Sequence, residues 1–234
     1  MNDKPVAIVT AAGQGIGAGI ARELHARDWQ LVLMSPSGRS QALAEELGTI
    51  GLNGSVTQPA DLEGLVGMTL ETHGRIDGVV NNTGPVVKGD LLEIADDAWH
   101  DSLDLVILNV VRMARLVVPA MVERGGGAFV NISTFSAYEP DVRFPVSSTL
   151  RAGLGSFAKL FADRYGPDGI RMNNVLPGFV DNLPVKESNV AHIPLRRYAR
   201  VSEIAKTVAF LLSPEAGYIT GQNIRVDGGV SRSV

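Results

Sequence analysis

Between a short apolar run and a breaker-poor stretch stands a string of small residues, Thr10-Ala11-Ala12-Gly13-Gln14-Gly15-Ile16-Gly17. Without bulky side chains, backbone N–H groups and a helix N-terminus can close on an anion, so this is a candidate pyrophosphate cradle. A glycine-rich string alone is weak; one set between strand-like and helical sequence is stronger, against the bland reading of a tight structural turn. In dinucleotide-binding folds an acid about 20 residues beyond the turn holds the ribose 2′-hydroxyl. Here the next apolar run ends at Ser35, Arg39 follows, and no acid stands there. A guanidinium in that place suits a 2′-phosphate, and so NADP over NAD. The competing reading, an arginine on a solvated loop, stays open.

The elements that must position this turn read as alternating strand and helix signals. Val6-Ala7-Ile8-Val9 suits a strand covered on both faces, and Ala18 to Ala26 reads as helix. Leu31 to Met34, Gly54 to Thr57, Gly78 to Val80, Ala128 to Ile132, Ile170 to Val175 and Asn223 to Val226 repeat the strand signal. Helical stretches separate them at Ser40 to Leu47, Leu62 to His73, Asp96 to about Glu123, Val146 to Tyr165 and Val201 to Leu212. This alternation predicts an α/β fold, a doubly wound parallel sheet of seven strands with helices on both faces, in three layers. Pro177 to Pro194 is the longest irregular stretch and is expected to cover substrate.

Composition narrows the function classes. The 234 residues, 45% apolar and 20% charged, are expected to form one domain over 1–234. With 21 Lys and Arg against 25 Asp and Glu, the net charge of −4 argues against nucleic acid and toward a small-molecule partner. The chain has no cysteine, hence no disulfide, no thiol nucleophile and no Cys-ligated metal; no metal site is expected, and redox chemistry needs a bound cofactor. The opening Met-Asn-Asp-Lys-Pro is unlike a signal peptide, and no uncharged apolar stretch of 18 residues occurs. A cytoplasmic protein without a membrane span is the expectation.

Further landmarks follow the turn in order: Asp61-Leu62, Asn81-Asn82-Thr83-Gly84, Asn131-Ile132-Ser133-Thr134, Ile170 to Gly178, Ile219-Thr220-Gly221-Gln222 and Val226-Asp227-Gly228-Gly229. Together they resemble, from end to end, the classical short-chain dehydrogenases/reductases, the type that includes 3-oxoacyl-carrier-protein reductases and sugar or alcohol dehydrogenases. The resemblance implies a Rossmann-type fold and a nicotinamide cofactor across the strand ends. It assigns to that cofactor Thr10, Gly13, Gln14, Gly15, Ile16, Gly17, Ser35, Arg39, Asp61, Leu62, Asn82, Thr83, Gly84, Arg151, Pro177, Gly178 and Val180. It also implies a homodimer or homotetramer built on the two long helices.

The family's chemistry uses a tyrosine, a lysine four residues on, a serine and a supporting asparagine. Alignment on Arg151-Ala152-Gly153-Leu154 puts Arg151 at the lysine and Ser147 at the tyrosine. Thirteen residues before Ser147 is Thr134, at the serine; seven past Trp99 is Val106, at the asparagine, with Asn109 one turn out of register. All four positions differ. A serine hydroxyl is too weak an acid, and too short, to replace a tuned phenol, though it can hold a water. Arg151 stays charged and suits a ribose, carboxylate or phosphate, but is a poor proton relay. Thr134, Ser147 and Arg151 are therefore the candidate catalytic set, with Tyr138 and His192 as further candidates against the reading that both are ordinary loop side chains. Asp181-Asn182 also departs from the threonine usual there, and Lys186-Glu187-Ser188-Asn189 reads as a mobile solvated lid.

Three functions stay open: an oxidoreductase of divergent mechanism, a nucleotide-binding protein without catalysis, and a non-redox enzyme on the same fold. Arg151 resembles the arginine of halohydrin dehalogenases, but those need the tyrosine and lack the glycine-rich turn.

Overall fold

The structure is a computed structural model that describes residues 4–233. Continuous apolar runs become strands buried on both faces, as β1 (Val6–Thr10) and β2 (Gln30–Ser35) illustrate. With β3 (Ile50–Asn53), β4 (Gly78–Asn81), β5 (Gly127–Ile132), β6 (Ile170–Pro177) and β7 (Asn223–Val226) they form one parallel sheet in the order β3-β2-β1-β4-β5-β6-β7. The order reverses between β1 and β4, and in such sheets ligands bind at that switch point, beyond the C-terminal strand ends.

Helices cover both faces. On one, α1 (Gly15–Ala26), α2 (Arg39–Leu47) and α8 (Val201–Leu212) pack Ile20, Leu24, Leu43, Ile204 and Val208 against Val9, Leu31 and Leu33. On the other, α3 (Pro59–His73), α5 (Asn109–Arg124) and α6 (Pro145–Tyr165) pack Leu62, Val117 and Phe161 against Ile8, Val79 and Phe129. Phe129 and Phe161 meet edge to face at 5.4 Å.

Three sequence expectations are corrected. The third strand is Ile50–Asn53 rather than Gly54 to Thr57, paired from Val32↔Ile50 to Ser35↔Asn53. Gly51 broke the apolar signal, yet the strand needs it: a Cβ there would lie 2.6 Å from Cα of Gln41 on α2. Residues 54–57 instead turn into α3, with the Ser55 N–H donating to Asp61 Oδ2 at 2.8 Å.

The long fourth helix is not uniform. It begins as α4 (Asp96–Leu103), widens into a π-helical segment (Asp104–Leu108), and resumes as α5. Val106 is buried in the wide turn, Asn109 Nδ2 donates to the Leu105 carbonyl, and Asp104 pairs with Arg112 at 2.6 Å. Residues 96–124 are long and apolar enough by composition to span a bilayer; here that stripe, from Val110 to Met121, packs into the core.

The segment after β6, read as irregular, is in part helical. Glu187–Val190 forms a short helix, α7, and the Tyr198 hydroxyl accepts from the Lys186 N–H at 3.2 Å and from Asn189 Nδ2 at 2.9 Å. Phe179 stacks on the Tyr198 ring at 5.4 Å.

Candidate functional site

The cradle is shaped by close approaches that only glycine permits. A Cβ on Gly17 would lie 2.3 Å from the Ala11 carbonyl oxygen, and one on Gly13 would lie 2.8 Å from Ser35 Oγ and Arg39 Cβ. Gly15 opens α1 at φ +54°, a backbone conformation that disfavours side chains. Thr10 Oγ1 donates to the Asn82 carbonyl at 2.7 Å and accepts from the Asn82 N–H at 3.0 Å, tying the ends of β1 and β4 together. Asn82 Nδ2 adds a bond to the Ala11 carbonyl at 3.2 Å.

An anion fits this cradle. Helix α1 has no side-chain cap and no acidic residue in its first turn, so its leading N–H groups and positive dipole end lack a side-chain acceptor. Arg39, which is exposed, donates from Nη1 to Gln14 Oε1, and Ser35 Oγ accepts from the Ser40 N–H at 3.2 Å. Ser35, Arg39 and Gln14 are thus assembled at one corner. Across the turn, Asn182 reaches back over Gly15: a Cβ there would be 3.1 Å from Asn182 Nδ2.

Other cofactor candidates divide between surface and framework. Leu62 is wholly buried in the α3 layer, while Asp61 is half-buried and holds the 54–57 turn. Thr83 and Gly84 follow β4, with Thr83 Oγ1 donating to the Gly84 carbonyl at 3.0 Å. Pro177 ends β6, and Gly178 is forced by the segment that follows β7, since a Cβ would sit 2.8 Å from Cα of Asp227. Val180 is buried and bridges to Ala199, and Asp181 Oδ1 accepts from the Val201 N–H at 2.9 Å, so this loop is pinned to the start of α8. Ile16 packs partly buried against the α1 and α8 core.

Ser147 and Arg151 lie one turn apart on α6. Both are half-buried; Ser147 makes no side-chain hydrogen bond among the described residues, while Arg151 Nη1 donates to the Ile132 carbonyl at the end of β5. Burial pushes the Arg151 guanidinium down to about 10, still charged at neutral pH, and no carboxylate pairs with it among the described residues. Thr134 caps the short helical turn Phe135–Ala137, its Oγ1 accepting from the Ser136 N–H at 3.4 Å and from Ser136 Oγ at 3.3 Å. Next to it Ser133 Oγ is buried without a partner among the described residues, an arrangement that favours a water or ligand atom. Beyond Thr134 opens a cleft of about 580 Å³, lined by Phe135, Asp141, Arg143, Phe179, Asn189 and His192.

The sequence reading missed a network beneath these groups. Asn81 Nδ2 donates to Asn131 Oδ1 at 2.8 Å, Asn131 Nδ2 to Asn174 Oδ1 at 2.8 Å, and Asn174 Nδ2 to Asn223 Oδ1 at 2.6 Å. Asn223 Nδ2 reaches the Tyr138 hydroxyl at 3.3 Å. One carboxamide from each of β4, β5, β6 and β7 is therefore bonded in register, every N–H pointing the same way. The only signal was an asparagine in four successive strands, and strand register had to be known to use it.

The strand order, the anion cradle at the switch point and the cleft over the strand ends define the dinucleotide-binding class of doubly wound proteins. A family model described as Enoyl-(Acyl carrier protein) reductase matches residues 10–231. The chain is 32% identical over 235 residues to the 3-oxoacyl-[acyl-carrier-protein] reductase FabG of Escherichia coli (strain K12), covering 96% of each. It is 32% identical over 248 residues to oxidoreductase UcpA of Salmonella typhimurium, covering 95% of this chain and 93% of that one. Among solved structures it matches L-sorbose reductase from Gluconobacter frateurii, complexed with NADPH and L-sorbose, with a TM-score of 0.91 and 28% identity over 99% of this chain and 98% of that one. YwfH, an NADPH-dependent reductase involved in bacilysin biosynthesis, matches with a TM-score of 0.93 and 25% identity over 99% of this chain and 100% of that one. The chain belongs to the short-chain dehydrogenase/reductase family.

Proposed function

We propose that the protein is an NADP-dependent oxidoreductase that interconverts a carbonyl and an alcohol without the family's tyrosine. The observation that carries this reading is the corner where Arg39 meets Gln14 above an uncapped α1, with Gly13 held open against Ser35. In that reading Gly13 to Gly17 hold the pyrophosphate, Arg39 and Ser35 the 2′-phosphate, and Arg151 the ribose beside the nicotinamide. The bound cofactor supplies a hydride for the carbonyl carbon.

The chain's own task is the proton for the carbonyl oxygen. Arg151, charged throughout the neutral range, acts as a fixed cation that orients and stabilises charge. Thr134 and Ser147 would hold a water that passes a proton to the developing alkoxide and takes one back from bulk solvent, and the unpartnered Ser133 hydroxyl adds a donor at the same strand end. Val106, apolar and buried, removes the polar support that the family places on that helix. The last point favours a second reading, a nucleotide-binding protein that does not turn over.

We read residues 1–234 as one domain with 177–194 as the substrate-covering segment. A cytoplasmic homodimer or homotetramer is the assembly proposed, and exposed Val122 on α5 and Leu160 on α6 support it. NADPH consumption across a panel of ketones and aldehydes tests the activity. Carbonyl-dependent consumption supports the oxidoreductase; saturable NADPH binding with none supports the silent reading.

A further inference from the structure

Among the described residues, the cleft beyond Thr134 takes no wall from α5 or α6 and none from the candidate cofactor set. Part of its lining is the chain's own C-terminal segment, through Val230 and Arg232. That segment is a fixed strap. The Asp227 carboxylate accepts from the Gly229 N–H at 2.9 Å and the Ser231 N–H at 3.0 Å, and Arg225 Nη1 donates to Ser233 Oγ at 3.0 Å. From across the cleft Glu139 Oε1 accepts from the Arg232 and Ser233 N–H groups.

Most of the charge around the cleft is already spent. Asp141 takes a fork from Arg143, Nε at 2.9 Å and Nη2 at 2.5 Å, together with the Arg143 N–H at 2.9 Å, while Glu139 is committed to the strap. His192 sets Nδ1 against the Ser188 carbonyl at 2.7 Å, so its neutral ring offers no second donor. Arg232 is different: its backbone is pinned, yet its exposed guanidinium makes no hydrogen bond or ion pair among the described residues. The same cleft has an aromatic wall, where Phe135 and Phe179 meet at 5.5 Å and Tyr198 stacks on Phe179.

We propose that the cleft selects a carbonyl compound that also bears a carboxylate, an oxo acid whose carboxylate pairs with Arg232 and whose apolar body lies on Phe135 and Phe179. This rests on the carbonyl-reduction reading above. A guanidinium fork matches a carboxylate in two parallel bonds, which a neutral ester cannot equal. Glu139 and Asp141 repel an anion placed elsewhere in the cleft and so fix its orientation. The carbonyl carbon takes the hydride of NADPH and its oxygen a proton from water, giving the hydroxy acid and NADP+ with the carboxylate unchanged.

The oxo acids 3-benzoylpropionate and 4-benzoylbutyrate, each against its methyl ester, test this by NADPH consumption with the full chain at fixed ionic strength. At least one acid is expected to show a kcat/KM about tenfold or more above its ester, the scale of a charge-assisted pair. That advantage should vanish in Arg232→Gln and return in part in Arg232→Lys. Binding is read apart from turnover by thermal melting, with and without NADPH, in 4-phenylbutanoate or 5-phenylpentanoate against their methyl esters, which carry no carbonyl to reduce beside the aryl ring. At least one acid should raise Tm beyond its ester in the parent and not in Arg232→Gln. If no carbonyl compound consumes NADPH and this Arg232-dependent gain appears, the redox reading falls while the carboxylate subsite stands. Turnover without preference for the acids overturns the proposal and leaves the redox reading in place. A preference or a Tm gain that persists in Arg232→Gln also overturns it, as does the absence of both.

Discussion

Asn131 on β5 donates its side-chain amide to Asn174 on β6 at 2.8 Å, with both side chains wholly buried and the residues paired directly in the sheet. Each is also bonded on its other side, to Asn81 and to Asn223. Buried carboxamides in a low-dielectric layer polarise one another and fix strand register, and a missing member leaves its neighbours unsatisfied. Asn131→Ala therefore strands the Asn81 amide and the Asn174 carbonyl together. We expect a loss of about 3 kcal/mol, two unsatisfied groups at roughly 1–3 kcal/mol each. Asn81→Ala, at the ladder's end, should cost about half as much. Urea unfolding of both variants measures the difference, and equal losses would argue against a coupled ladder.

Asn182 is the residue of the covering segment that reaches the glycine-rich turn. Its neutral amide offers donors where a pyrophosphate would lie, and a carboxylate in its place adds like charge. Asn182→Asp is expected to weaken NADPH binding by about tenfold, roughly 1.4 kcal/mol. Titration of the purified variant checks it; unchanged affinity would remove Asn182 from the cofactor site.

The Ser147 and Arg151 pair sits one helical turn apart, as a tyrosine and lysine pair would. Supplying the phenol and a tunable ammonium together, in Ser147→Tyr with Arg151→Lys, is expected to raise carbonyl reduction by about 100-fold or more, the scale of a positioned general acid. In the parent protein Arg151 keeps its charge until about pH 10, so NADPH affinity should hold level through neutral pH and decline only on that approach. Because burial lowers this cation's pKa, the charge costs folding free energy, and that cost is relieved as pH rises past 10.

Arg197 grips Glu203 through two 2.7 Å bonds, and with the Arg200 N–H it holds the Glu203 carboxyl down to about 2 from an ordinary 4.5. The unfolded chain binds that proton more tightly. The pair's contribution is thus complete above about 4.5 and lost as pH falls toward 2. Melting of Glu203→Gln against the parent should show a Tm gap above pH 4.5 that closes in acid. A gap of constant size would leave the pair without a role in acid stability.

Strand and helix order was legible because a fully covered parallel strand has to be a near-continuous apolar run, as Leu31-Val32-Leu33-Met34 shows. The tight turn after β1 was legible because glycines at 13, 15 and 17 answer steric demands of the backbone itself. The third strand was displaced because Gly51 trades its apolar signal for close contact with α2. Nothing in the spacing of Asp104 to Leu108 marked the π-helical turn, since one added residue per turn leaves no local sequence trace. The asparagine ladder and the reach of Asn182 to Gly15 join residues 43 to 167 positions apart and emerge only from strand register and loop path.

The central claim is that the Gly13–Gly17 turn and the Arg39 corner hold a dinucleotide carrying a 2′-phosphate. Titration with NADPH and with NADH, followed by nicotinamide fluorescence in the parent and in Arg39→Ala, tests it most directly. The account predicts saturable binding at about one per chain, NADPH preferred by at least about tenfold, roughly 1.4 kcal/mol, and that preference lost in Arg39→Ala. No binding of either nucleotide at millimolar concentration would contradict it.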